Sequence, residues 1–353
     1  MNAVVQPPVN EASNPATRNV AIVGATGAVG IEILKCLEDR NFPTRSLRLF
    51  ASPRSAGKTL PFRNSQVVIE ALTQECFKGI DIALFSAGSG ISKEFAPAAV
   101  AAGAVVVDNS SAFRMDANIP LVVPEINSAA LTEHHGIVAN PNCVAIIACV
   151  PLWPIHKHNR IRRIIASSYQ AASGAGAAAM AELRDSTQAH LEGREYQNKV
   201  LPHPYAFNLF SHNASVDLET GYNGEELKFM QETRKIFGDE SIAMSITCVR
   251  VPVLRAHAIA LTIECEKRIT PAAARALLIG AEGVKLVDDQ ANNYFPMPKD
   301  ASGQGDVLVG RVRQDLSDPS GKTLSLFVAG DQLLKGAALN AVQIAERLIG
   351  FQR

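Results

Sequence analysis

RNVAIVGATGAVGIEILKCL, Arg18 to Leu37, reads as a strand, a glycine turn and a helix in that order. Arg18–Val23 is a short apolar run, Gly24, Gly27 and Gly30 punctuate the turn, and Ile31 to Leu37 repeats its apolar residues at helical spacing. This context suits a dinucleotide. Glycines let the backbone approach a pyrophosphate, and the helix amino terminus offers free N–H groups and a partial positive charge. The spacing is GxxGxxG rather than the commoner GxGxxG, so a turn packed tightly for steric reasons is the competing reading. The next strand, Ser46–Ala51, ends about 20 residues later, where an NAD-binding unit carries an acid for the ribose 2′-hydroxyl. Here stands Ser52-Pro53-Arg54-Ser55-Ala56-Gly57-Lys58. It has no carboxylate to repel a 2′-phosphate, and Arg54 and Ser55 could bind one. The expected cofactor is NADP(H); a solvated basic loop is the bland alternative.

Working outward, Asp81–Ser86, a helix from Ser92 to Ala102 and Ala104–Asp108 continue the alternation. This βαβ rhythm predicts a doubly wound parallel sheet of the Rossmann type with ligands at the carboxyl ends of its strands. Arg114 lies in a loop at such an end and could meet an anion, although a surface arginine is the default reading. Beyond residue 143 the text becomes α+β in style, so the expected division is an NADP-binding domain over 18–142, completed by a terminal helix over 331–353, and a catalytic and dimerisation domain over 143–330. A chain of 353 residues is long enough for two domains.

Composition narrows the function classes. Basic and acidic side chains balance at 34 each, so no global charge favours nucleic acid or a membrane surface. Residues 1–17 lack a basic start and an apolar core and read as a disordered tail rather than a signal peptide. The six cysteines show no CxxC pair and no metal-ligand spacing, which predicts reduced thiols in the cytoplasm and no metal site.

One cysteine stands apart. In Asn140-Pro141-Asn142-Cys143, Pro141 holds Asn140 extended and Asn142 is a good N-cap for the apolar run that follows. Cys143 then falls in the first turn of a helix, where the dipole lowers a thiol pKa and favours a nucleophile. Ile161–Gln170 reads as a strand presenting Gln170 at its end. Ala172–Ala177 is a second glycine-rich turn, starting a helix over 178–188, and residues 189–224 look like a loop-rich insertion. In the helix over 224–235, Glu225 and Lys228 share a face, which by default is a solvated ion pair. His257 begins a strand with Ile259, Leu261, Ile263 and Cys265 on its face, a pattern that suits a core histidine. Arg250 precedes His257 by an odd offset across Pro252, so periodicity leaves open whether the two converge. Gln332 to Leu348 is expected to form one helix whose apolar stripe packs back on the first domain.

Together GATGAVG, ASPRSAGK, DNSSAFRM, NPNC, SYQAASGAGAAAM, EELKFMQETRKI, CVRVPVLRAH and DQLLKGAALNAVQIAE resemble, in order, the motifs of bacterial aspartate-β-semialdehyde dehydrogenases. The resemblance runs from about Asn19 to the end of the chain. It implies NADP-dependent reduction of L-aspartyl 4-phosphate to the semialdehyde through a cysteine thioester, in biosynthesis of diaminopimelate, lysine, threonine, methionine and isoleucine. It further implies a homodimer, with the small-molecule substrate and inorganic phosphate as ligands. By resemblance Cys143 is the nucleophile, His257 the acid/base that takes the thiol proton, and Gln170 the residue orienting the acyl group. Arg250 would hold the α-carboxylate and Glu225 the ammonium, while Arg114, Asn142 and Lys228 form the phosphate set. Gly24, Thr26, Gly27, Ala28, Val29, Arg54, Ser55, Ser173, Gly174 and Gln332 resemble the NADP contacts. The runners-up are N-acetyl-γ-glutamyl-phosphate reductase, which has no use for an ammonium partner such as Glu225, and an inactive NADP-binding homologue, which would be expected to lose Cys143 or His257.

Overall fold

The NPNC stretch lies where two seven-stranded sheets meet. The computed structural model describes residues 17–351, so the expected tail, apart from Thr17, and the last two residues fall outside it. The first sheet contains β1 (Arg18–Val23), β2 (Thr44–Ala51), β3 (Thr59–Phe62), β4 (Ser65–Ala71), β5 (Ile82–Phe85), β6 (Val105–Asp108) and β7 (Ile137–Ala139). Their order is β3-β4-β2-β1-β5-β6-β7, and every pairing is parallel except the β3–β4 hairpin at the edge. Val20 to Val23 are all fully buried, as a central parallel strand covered on both faces must be. Helix α1 (Ala28–Asp39) contributes to the core on one face, and α2 (Ser89–Ala101) to the core on the other. The β3–β4 hairpin, β7 and the short strand Val284–Leu286 were not anticipated; each is too short, or too polar on its outer face, to stand out by period.

After the short helix α3 (Pro124–Asn127) and the long helix α4 (Cys143–His158), the second sheet begins. Its strands are β8 (Ile161–Gln170), β9 (Phe210–Ser211), β10 (Ala243–Arg250), β11 (His257–Cys265), β12 (Val284–Leu286), β13 (Val307–Gln314) and β14 (Thr323–Gly330). They pair in the order β12-β13-β14-β11-β8-β10-β9. From Ile164 to Gln170, β8 alternates buried and more accessible residues, the mark of a sheet with one face on the core. Helix α4 supplies much of that core through Val144 to Val150, Leu152 and Ile155. Between β8 and β10 come α5 (Ala177–Leu191), the expected irregular stretch, and α6 (Gly224–Phe237).

The chain's last helix differs from expectation. Asp331–Leu333 forms a turn, Leu334–Ala338 is π-helical, and the α-helix runs only over Leu339–Leu348. Asp331 Oδ1 accepts from the N–H groups of Leu333 and Leu334 (3.0 and 3.3 Å), which fixes the start, and Gly336 and Ala338 donate five residues back to Asp331 and Leu333. The wider turn accommodates one extra residue, a distortion typical of functional sites. The apolar stripe does pack on the first sheet's core, through Ala341, Val342, Ile344 and Ala345.

Candidate active site

Strand directions bring the second sheet's polar residues together. Strands β8 and β10 are parallel and end in register at Gln170 and Arg250. Strand β11 runs antiparallel to β8, so its first residue, His257, lies at the same end of the sheet. The loop between Arg250 and His257 is tied down by Ala172 and Ser173, which donate to the carbonyls of Val253 and Leu254. The question periodicity left open is therefore answered: Arg250 and His257 converge. A Cβ on Gly174 would lie 2.8 Å from His257 Cε1 and 3.0 Å from Arg250 Nη1, so a side chain there would push on both.

Facing this edge is a pocket of about 340 Å³ whose walls include Asn142, Cys143, Gln170, Glu225 and Arg250. Cys143 is the first residue of α4, and Asn142 caps the helix by accepting from the Val144 N–H (2.9 Å). The other five thiols are buried, whereas Cys143 is partly accessible, and all six are free. The π-turn seats Gly336 against Cys143: a Cβ at 336 would come within 2.9 Å of the cysteine Cβ. The expected depression of the thiol pKa is not found. Burial, helped by the Glu225 carboxylate, pushes Cys143 up to about 12, against the opposing pull of Arg114 and Arg250. The resting group is a neutral thiol because the desolvation of a packed site outweighs one helix end.

His257 is fully buried, and its Nδ1 accepts from the Ala171 N–H (3.0 Å). A backbone amide can only donate, so the neutral ring carries its proton on Nε2, which has no partner among the described residues. Burial first, then the charge of Arg250, holds the imidazolium form well below the usual histidine range. In this tautomer His257 offers a hydrogen-bond donor and has no free lone pair for the thiol proton, which departs from the base role implied by resemblance.

Asn142 joins a buried network. Its Nδ2 donates to Glu225 Oε1 (2.8 Å) and its backbone N–H to Glu232 Oε2 (2.5 Å). Arg114 is not a surface arginine: it is 8% exposed, pairs with Glu232 (3.1 Å), and donates to the carbonyls of Asn140 and Asn109. Glu225 and Lys228 are 3.6 Å apart, with the lysine partly exposed. Burial alone would raise Glu225, but the His212 ring beside it, then Asn142, Lys228 and Arg250, overcome it and hold the carboxyl below its ordinary value, hence charged. Its neighbour Glu226 is used otherwise, completing a capping box with Asn223 and accepting from the Cys248 N–H.

Ser86 lines both this pocket and a second cleft, of about 570 Å³, walled by Gly24, Thr26, Gly27, Ser52, Pro53 and others. A Cβ on Gly24 would lie 2.8 Å from the Ser86 carbonyl oxygen, and one on Gly30 would lie 2.3 Å from that of Gly24, so the turn needs both glycines. Ala28 opens α1 with no acidic residue in the first turn, and exposed Arg54 stands just beyond Pro53 at the end of β2. Backbone cradle, helix end and cationic rim together fit a phosphorylated dinucleotide. Val29, Ser173, Gly174 and Gln332 line the pocket side of the junction. Gln332 is held at both ends, donating to Ser173 Oγ and accepting from the Ala256 N–H.

Three residues at or behind this site escaped the sequence reading. His212, from the irregular stretch, lines the pocket. Glu232 ties Arg114 to Asn142 from the buried side of α6. Lys335, 1% exposed, reaches Glu125, Asn340 and Gln343 from the π-turn. The only sequence signals were a charged residue inside an apolar stripe, for Lys335, and an inward helix position, for Glu232.

Known proteins resemble this chain over nearly its whole length. Residues 19–134 match the semialdehyde dehydrogenase NAD binding domain and residues 152–335 the semialdehyde dehydrogenase dimerisation domain. An aspartate-semialdehyde dehydrogenase from Synechocystis is 54% identical over 95% of this chain and 98% of its own, and one from Bacillus subtilis is 46% identical over 94% and 97%. The crystal structure of aspartate semialdehyde dehydrogenase II from Vibrio cholerae superposes with a TM-score of 0.91 at 43% identity, covering 95% of this chain and 99% of that one. A second structure of the Vibrio enzyme, complexed with ASA, gives the same TM-score.

Proposed function

The chain belongs to the aspartate-semialdehyde dehydrogenase family, and we propose that its pocket converts L-aspartyl 4-phosphate to L-aspartate 4-semialdehyde through a thioester on Cys143. The observation that carries this is Cys143 itself, the accessible thiol, set between the nucleotide cleft and the Gln170–Arg250–His257 edge. The domain division proposed with it is 18–142 plus the chain's end for the cofactor, and 143–330 for catalysis and dimerisation. The second sheet turns Ile165 and Tyr169 outward, which supports a homodimer through that face. No helix among the described residues is long and apolar enough to cross a membrane, and six free thiols support a reducing compartment, the cytoplasm.

Arg250 binds the substrate α-carboxylate and charged Glu225 the ammonium. Arg114, Asn142 and Lys228 receive the phosphoryl group, with Glu232 holding the first two in place. Cys143 Sγ attacks the acyl carbon, the bond to the phosphate oxygen breaks, and the thiol proton leaves with the phosphate as the hydrogen phosphate dianion. Such a transfer needs no base and suits a neutral thiol. Gln170 orients the acyl group. NADPH, when bound, supplies the hydride that reduces the thioester. His257 Nε2–H donates to the oxygen on which negative charge then gathers. The resulting oxyanion expels Cys143 as thiolate, which regains a proton from solvent, and the aldehyde is released. Glu225 favours a free ammonium over the acylated amine of an N-acetyl-γ-glutamyl phosphate.

The test is phosphate-dependent reduction of NADP⁺ by aspartate semialdehyde, with N-acetylglutamate semialdehyde as the comparison. The first should react and the second should not; the opposite preference would overturn the assignment. In the same assay Lys228→Ala should raise KM for phosphate by about 10-fold, the scale of a charge-assisted hydrogen bond, and change KM for the semialdehyde less. An unchanged phosphate dependence would leave Lys228 as the exposed half of an ion pair.

Arg54 carries the preference for NADP. Arg54→Ala should weaken NADP⁺ by about 10- to 100-fold and leave NAD⁺ nearly unaffected, as fluorescence titration would show. Equal losses for both cofactors would remove Arg54 from the 2′-phosphate.

A further inference from the structure

His212 presents a contact that the free protein cannot satisfy. Its Nδ1 lies 3.1 Å from the Ala214 backbone nitrogen, and its Nε2 lies 2.8 Å from Arg250 Nη2. Both neighbours can only donate, since a backbone N–H has no lone pair and a guanidinium accepts nothing. A neutral imidazole has one N–H and one lone pair, so in either tautomer one of these contacts sets donor against donor. Ala214 is fixed by the chain two residues away, so its N–H takes the lone pair on Nδ1 and Nε2–H faces the guanidinium. Burial and the Arg250 charge, opposed by Glu225, hold the His212 imidazolium pKa down to about 4, so the ring stays neutral. Arg250 is 4% exposed and is otherwise held by weak contacts, to Asn213 Oδ1 (3.3 Å) and the Ala171 carbonyl (3.4 Å). His212 and Arg250 both line the pocket.

Two donors set against each other 2.8 Å apart on a pocket wall would both be relieved by one acceptor that each could reach. We propose that His212 is a second donor to the substrate α-carboxylate, its Nε2–H sharing one carboxylate oxygen with Arg250. The oxygen sits at the apex of a triangle whose base is the two nitrogens, and its arrival replaces a donor–donor contact with two hydrogen bonds. A substrate lacking the carboxylate leaves the pair opposed, so His212 contributes to rejecting such a substrate as well as to binding the right one. This inference rests on Arg250 being the carboxylate anchor.

The experiment compares aspartate semialdehyde with 3-aminopropanal, the same aldehyde without the α-carboxylate, in the phosphate-dependent assay. In His212→Phe, KM for aspartate semialdehyde should rise by about 10- to 100-fold, the range for a hydrogen bond to a charged group, while kcat and the KM for phosphate change little. Kinetics with 3-aminopropanal should not worsen, so discrimination falls. His212→Gln restores a donor near the Nε2 position and should recover most of it; His212→Ala repeats the comparison should the phenylalanine disturb folding. Arg250→Leu separates the two readings. If it abolishes discrimination and His212→Phe does not, His212 is overturned and the anchor stands. If neither variant alters discrimination, the anchor reading falls and His212 with it. Equal losses on both aldehydes in His212→Phe and His212→Ala would mean that the ring only shapes the loop, which also overturns the proposal.

Discussion

Cys143→Ala is expected to fold, to bind NADP⁺ and to turn over more slowly by a factor on the order of 10⁴ or greater, the scale on which nucleophile deletions fall. The contacts proposed for the cofactor lie on other loops, and alanine leaves the Asn142 cap on α4 intact, so binding and melting temperature should stay near the parent values. Cys143→Ser sharpens the test because it keeps the volume and replaces the thiol with a poorer nucleophile. With acyl phosphate and no NADPH, mass spectrometry of the parent enzyme should show an aspartyl adduct on Cys143. An adduct elsewhere, or substantial activity in Cys143→Ala, would reduce NPNC to a capped helix start. The raised thiol pKa adds a second readout. Alkylation by iodoacetamide should prefer Cys143 over the five buried cysteines, because access decides that contest. Its rate in the free enzyme should keep climbing above a pH of about 8.5, where an ordinary cysteine begins to level off. A plateau near neutrality would show that the helix dipole outweighs desolvation.

What could be read in advance depended on how far apart the interacting residues are in sequence. Asn142 and Cys143 are adjacent, so the N-cap and the thiol's place in the first helical turn were legible. So was the strand–glycine–helix unit, where all the reasons lie within about one βα length. Glu225 was chosen on its i,i+3 spacing to Lys228 together with the family resemblance, whereas the use of its neighbour Glu226 in the helix cap is seen only in the structure. For Arg114, placed at a strand's carboxyl end, a surface residue remained the default reading because its partner, Glu232, lies 118 residues away on a different sheet's helix. His212 sits in a stretch without periodicity, where no pattern says which way a side chain points. The same limit applies to protonation. A helix terminus is visible in sequence and argues for a thiolate, whereas the desolvation that reverses the sign is a property of the assembled pocket. Likewise the Ala171 amide that sets the His257 tautomer is 86 residues from it. The π-turn at Leu334–Ala338 belongs with these: its periodicity is that of a helix, and Lys335 within it pairs with Glu125, 210 residues away.

Lys335→Met should lower stability by about 3–5 kcal/mol, the cost of leaving a buried charge unpaired, read as a fall in Tm on the order of 10 °C. The ammonium lies 2.6 Å from both oxygens of Glu125, 2.9 Å from Asn340 Oδ1 and 2.7 Å from Gln343 Oε1. The Lys335 and Glu125 side chains are 1% and 4% exposed, so solvent cannot replace the lost partner. Burial pulls the Lys335 pKa down, and without the lysine the same burial would drive Glu125 to take up a proton. Removing both charges should therefore be milder than removing one. Lys335→Met with Glu125→Gln should recover most of the lost Tm, because a neutral amide leaves no buried charge and can still meet Gln343. The pair also bears on the site. Lys335 and Gly336 are consecutive in the π-turn, and Gly336 packs on the Cys143 Cβ, so a slack turn should loosen the thiol's surroundings. The double variant should then regain stability before it regains kcat. If Lys335→Met melts with the parent, the attraction between the two charges only repays their desolvation, and the π-turn is held by Asp331 and its neighbours instead.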